Sequence, residues 1–192
     1  MRTLQHTLIA GLALAMTITG CKKDDDDPIA PAPPANEEEL ITTLRLHFHS
    51  ANDVEHKIFS FVDADGDGGV APVITTEALS ADSVYAVEIE VLNESADPVE
   101  DITVEIEVEG AEHQFFFQPN GVVATITYGD ADVNGLPVGI VSTWAMGAAA
   151  NGSVTVTLRH EPAKTASGVS TGDITNAGGE TDIEVEFPLV VE

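Results

Sequence analysis

Tyr85-Ala86-Val87-Glu88-Ile89-Glu90-Val91 alternates large apolar residues with small or charged ones, one for one. In an extended chain successive side chains point to opposite faces, so Tyr85, Val87, Ile89 and Val91 meet a core while Glu88 and Glu90 meet water. The same alternation recurs on both sides of this stretch. Leu44, Leu46 and Phe48 alternate with Arg45, His47 and His49; Val154, Val156 and Leu158 with Thr155 and Thr157; Ile183, Val185 and Phe187 with Glu184 and Glu186. Shorter strands are expected at Glu55–Val62, Val73–Thr76, His113–Gln118, Val122–Tyr128 and Val138–Ala145. Asn120-Gly121 and Asn151-Gly152 read as hairpin turns, because both residue types tolerate positive φ. Pro98–His113 fits two patterns. Ile102, Val104, Ile106 and Val108 alternate like a strand, while Ile102, Ile106 and His113 also make a helical stripe. Strand is the preferred reading, since it carries Val104 and Val108 into the core. Many short strands and no convincing long helix predict an all-β fold, an antiparallel β-sandwich of immunoglobulin-like or jelly-roll type spanning residues 40–192.

Ahead of this domain the chain changes character twice. Residues 1–20 open with Met1-Arg2 and continue into an apolar stretch, Thr7 to Thr19, with the proportions of a signal-peptide core. That stretch is too short to span a bilayer comfortably. It ends Ile18-Thr19-Gly20-Cys21, which resembles the lipobox of bacterial lipoproteins, so Cys21 is the expected lipidation site and mature N-terminus. Cys21 is also the only cysteine, so no disulfide braces the domain. Lys22-Lys23-Asp24-Asp25-Asp26-Asp27 follows and resembles the Lys/acidic tag that sends Bacteroidota lipoproteins to the cell surface. Pro28, Pro31, Pro33, Pro34 and Glu37-Glu38-Glu39 then favour an extended spacer, so residues 21–39 are read as a flexible N-terminal tether.

Charge narrows the partners. The 192 residues carry 33 acids against 7 Lys and Arg, a net charge of −26. Such a surface repels phosphate backbones, which excludes nucleic acid as a partner. It equally disfavours anionic lipid headgroups without a covalent anchor. With 43% hydrophobic residues the chain still has the apolar content of a folded domain.

Two loops share a local pattern that suits a hard cation. Asp63, Asp65 and Asp67 precede Gly68, and Asp130, Asp132 and Asn134 precede Gly135, giving oxygen ligands at positions 1, 3 and 5 and then a glycine. Ile74 and Val141 stand where an EF-hand places its bidentate glutamate, so neither loop is an EF-hand. Calcium in a structural role is the one cofactor these loops suggest. A third polar loop, Gly172 to Glu180, offers a further carboxylate or amide. Gly168-Val169-Ser170-Thr171-Gly172 matches the G-x-S-x-G spacing, but that motif needs a strand-to-helix turn and a later histidine, and no histidine follows His160. Gly66 to Ala71 matches a dinucleotide fingerprint as idly, with Pro72 where a helix should extend. His47 and His49 share one face of a strand, where two imidazoles can hold a transition metal if a third ligand joins them. Trp144 and the Phe115–Phe117 run read as core.

Asn36–Thr42, Asp63–Val73, His113–Phe117 and Gly172–Glu186 together resemble an uncharacterised family of small Bacteroidota surface lipoproteins. The resemblance covers nearly all of the mature chain, through NEEELITT, DGDGGVAPVITT, EHQFFF and GDITNAGGETDIEVEF. Members often carry a type 1 periplasmic-binding label. That fold is a pair of α/β lobes much longer than this chain, which shows no βα alternation. The resemblance therefore implies an address, the outer membrane with the domain facing outward, and supplies no catalytic residues. The expected function is non-enzymatic: a binding module for an extracellular ligand, or an accessory subunit of an outer-membrane assembly with a protein partner there. The alternatives are a structural surface-coat protein and a secreted hydrolase using a pair of the clustered acids.

Overall fold

A computed structural model describes residues 40–51, 54–66 and 68–192. The leader, Cys21, the Lys22–Asp27 tag, the tether and Asp67 lie outside the described residues. From Leu40 onward the chain is an antiparallel β-sandwich. One sheet runs in the order β3 (Val73–Thr75), β2 (His56–Val62), β1 (Thr43–Ser50), β4 (Val84–Asn93), β8 (Val141–Met146), β7 (Ala124–Tyr128), with β5 (Glu100–Asp101) paired to the end of β4. The other sheet is β10 (Glu180–Val191), β9 (Ala150–His160), β6 (His113–Asn120). Among the described residues no helix is long and apolar enough to cross a membrane.

The alternating residues pack between the sheets as expected. Leu44, Leu46, Phe48, Tyr85, Val87, Val91, Val154, Val156, Leu158 and Phe187 are all buried. A run of rings spans the gap. Phe187 of β10 lies 5.9 Å from Phe59, Phe59 lies 4.7 Å from Phe48, and Trp144 meets Phe48 at 5.3 Å and Phe117 at 5.4 Å, both near edge-on. Trp144 has no exposed surface, and its Nε1–H donates to Ser142 Oγ at 2.9 Å. Phe115-Phe116-Phe117 breaks the alternation because β6 is covered on both faces. Phe115 and Phe117 enter the main core, while Phe116 packs with Val169 and Ala177 beneath the 161–179 loop.

Backbone hydrogen bonds also join the two sheets at both sides. On one side the Leu79 N–H donates to Val190 O at 2.9 Å and the Glu192 N–H to Leu79 O at 2.9 Å. On the other, the segment before β8 crosses between sheets: Phe115 N–H donates to Val138 O at 2.7 Å and Ile89 N–H to Ile140 O at 2.9 Å. This crossing is why β8 begins at Val141 and not at Val138.

Three local expectations are corrected. Residues 98–113 are not a strand: after two paired residues the chain forms helix α1 (Ile102–Val108), burying Ile102 and Ile106 and exposing Val104 and Val108. β4 already bonds to β1 along one edge and to β8 and Ile140 along the other, so only Leu92 and Asn93 remain to receive β5. Asp101 then caps the helix, its Oδ1 accepting the Thr103 N–H at 3.1 Å. Asn120-Gly121 turns between sheets and makes no hairpin, since β6 pairs with β9 and β7 with β8. Asn151-Gly152 lies within β9. A Cβ on Gly152 would sit 2.1 Å from Asn120 O, so the glycine admits the crossing turn against the strand.

Candidate binding site

β7 is an outer strand of its sheet, and its inward side chains Ala124, Ile126 and Tyr128 are only half-buried. The 168–172 turn lies beside them, leaving a groove in two adjoining pockets. One, of about 140 Å³, is lined by Phe117, Pro119, Ala124, Ile126, Tyr128, Thr171 and Gly172. The other, of about 380 Å³, adds Thr127, Asp130, Gly135, Pro137 and Ser170. The lining mixes rings and aliphatic groups with hydroxyls and the Asp130 carboxylate.

The groove's floor is fixed by a buried polar relay. Tyr128 OH donates to Phe115 O at 2.7 Å and accepts from Gln114 Nε2 at 3.2 Å, while the same Nε2 donates to Val169 O at 2.9 Å. Gln114 thereby ties the turn to β6 and β7. Burial pushes the Tyr128 phenol up to about 12, so it stays a neutral hydroxyl. Gly168 and Gly172, with φ of +87° and +95°, bracket a short 3₁₀ turn, Val169–Thr171. Thr171 Oγ1 donates to Gly168 O, Val169 is buried beneath, and Ser170 faces solvent. The G-x-S-x-G match is thus a turn seated on Phe116, with its glycines in the left-handed region.

Asp130 and Asp132 hold the loop above the groove from within. Asp130 accepts the Gly139 N–H at 2.7 Å and the Val141 N–H at 2.9 Å, one on each carboxylate oxygen. Asp132 Oδ1 accepts the Asn134 and Leu136 N–H groups at 2.7 and 3.0 Å, and its Oδ2 accepts from Lys164 Nζ at 3.0 Å. Lys164 is 4% exposed and also donates to the carbonyls of Gly110 and Pro137. All three ammonium protons are satisfied, and three separate segments are held at one point. Burial lowers the Lys164 pKa from its usual range, and Asp132 opposes that shift. A cation at Asp132 would have to displace this ammonium.

The other expected site residues lie apart. Asp65 Oδ2 turns onto its own loop to accept the Val70 N–H at 3.3 Å, and Asp63 donates its N–H to Thr42 O at 2.8 Å. Asp173 of the third polar loop caps a second 3₁₀ turn through the Thr175 N–H at 2.9 Å. His47 and His49 acquire a neighbour that sequence spacing did not suggest. His56 pairs directly across from His49, ring to ring at 4.4 Å, and lies 5.8 Å from His47. In the second sheet His113 stacks on His160 at 4.8 Å, and burial lowers the His113 pKa against the pull of the Glu109 carbonyl.

Lys164, Gln114, His56 and His160 were not singled out by sequence. Each works through a strand register or a loop crossing, so no local motif marks it. No protein-family model, curated protein or solved structure matches this chain.

Proposed function

We propose that the chain is a non-enzymatic lipoprotein of the outer membrane, anchored through Cys21 and facing outward, whose sandwich binds an extracellular ligand or an outer-membrane protein partner at the β7 groove. The observation that carries this reading is the chemistry of the groove. Its rings, aliphatic groups and hydroxyls suit a neutral ligand with both polar and apolar parts, while Asp130 is committed to backbone N–H groups and Tyr128 to Phe115 and Gln114. Such a surface favours recognition over acid–base chemistry, which needs a group poised near neutral pH. The address rests on the lipobox, the Lys/acidic tag and the resemblance to Bacteroidota surface lipoproteins.

Two results are expected. Cys21→Ser leaves the leader uncleaved or releases the protein from membranes; unchanged detergent-phase partitioning of that variant contradicts lipidation. Tagged full-length protein isolated from native outer membranes retains a stable partner, and Thr171→Trp, which fills the groove, loses it. An abundant protein that brings no partner down instead supports the structural-coat reading.

A further inference from the structure

We propose that Glu112, His160 and Glu161 form a binding site for a divalent transition-metal ion, separate from the β7 groove. One ligand atom from each residue lies within 4.8 Å of the others. The three come from two segments that the sandwich brings together: Glu112 just before β6, and His160 with Glu161 where β9 ends. His160 is 5% exposed and walls the site, while Glu112 and Glu161 are open to solvent. That leaves room for water to complete a coordination shell.

The site is held from behind. His113 and His160 face each other in the β6–β9 register, and their stacked rings lie within 16° of parallel, which fixes the imidazole plane. The Glu161 N–H donates to Glu112 O at 2.6 Å, joining the two segments directly. Lys164 binds Gly110 O on the same stretch that carries Glu112 and lies three residues beyond Glu161, so its clamp restrains both. Glu161 itself has a φ of +49°, a conformation that costs an ordinary residue energy and here turns the chain out of the strand. This support around a ligand set is what a preorganised metal site requires.

The donor set names the metal class. One imidazole and two carboxylates suit Zn²⁺, Mn²⁺, Fe²⁺ or Co²⁺, whereas Ca²⁺ and Mg²⁺ prefer oxygen alone. Zinc binds nitrogen and carboxylate oxygen at about 2.0–2.2 Å, so its ligand atoms sit roughly 3.3 Å apart. The two exposed glutamates supply that contraction by rotamer change while His160 stays in place. In an acidic chain, bringing two carboxylates beside one imidazole without a cation also accumulates repulsion that a dication removes.

The test is titration of purified full-length protein with Co²⁺, followed by visible absorption, and with Zn²⁺, followed by calorimetry. Saturable binding of both metals is expected, weakened roughly tenfold or more in Glu112→Gln/Glu161→Gln. Those exposed, near-isosteric changes leave the core untouched, so the variant must first show wild-type melting. His56→Gln, on the other sheet, should bind as wild type does. The proposal is overturned if metal at about 1 mM gives no binding, if the double variant binds unchanged, if His56→Gln alone removes binding, or if Mg²⁺ binds as well as Zn²⁺.

Discussion

Lys164→Met will destabilise the sandwich by about 3–5 kcal/mol, the usual cost of removing one partner from a buried ion pair. The side chains of Lys164 and Asp132 are 3% and 0% exposed, so the variant strands a carboxylate and two carbonyls without their shared donor. Burial alone would raise the Asp132 pKa, but the Leu136 N–H, the Lys164 ammonium and the Asn134 N–H outweigh it and leave it lowered. A depressed folded-state pKa means that the unfolded chain takes up the proton first. The contribution is therefore complete above the ordinary carboxylate range and fades as pH falls through the depressed value, below about pH 4. Urea unfolding at neutral and acid pH should show the wild type losing stability in that window and Lys164→Met losing less. Adding Asp132→Leu to Lys164→Met should recover part of the loss, because no charge is then left buried alone. A neutral-pH loss below about 1 kcal/mol would mean that the pair behaves as a solvated surface bridge.

Trp144→Ala has an expected cost of similar size by a different route, about 3–5 kcal/mol from lost burial and the cavity left behind. Trp144 is the ring through which Phe48 of one sheet and Phe117 of the other meet, so its removal opens the centre of the sandwich. For a domain of this length that corresponds to a fall in melting temperature on the order of 10 °C. Trp144→Phe should lose much less, since it keeps an edge-on ring and gives up only the Nε1–H bond to the buried Ser142 and part of the ring volume. Equal losses in the two variants would place the stabilising contribution in the indole N–H and not in the packing.

What could be read from sequence was whatever depends on neighbours in the chain. The period-two runs around Tyr85–Val91, Leu44–Phe48 and Val154–Leu158 locate β4, β1 and β9, because a half-buried strand displays its environment residue by residue. Ile102–Val108 misled because a short helix with Ile102 and Ile106 inward also places valines at alternate positions. The deciding fact, that β4 has only Leu92 and Asn93 left to pair, belongs to the sheet order. Asn151-Gly152 misled for a similar reason: its glycine answers to Asn120 O across the sheet and not to a turn. At the site, Asp130 and Asp132 are visible as a carboxylate-rich loop, but the groups they hold, Gly139, Val141 and Lys164, are set by the crossing between sheets. Glu112 and His160 lie far apart in the chain and meet only through the β6–β9 register.

Photocrosslinking on intact cells tests whether the β7 groove is a recognition surface. A photoreactive residue replaces Thr127, at the groove, or Glu186, exposed on the other sheet, in otherwise full-length protein. A discrete adduct from position 127, lost in Thr171→Trp and absent from position 186, is the predicted result. Adducts of equal yield from both positions, or none from 127, would contradict it.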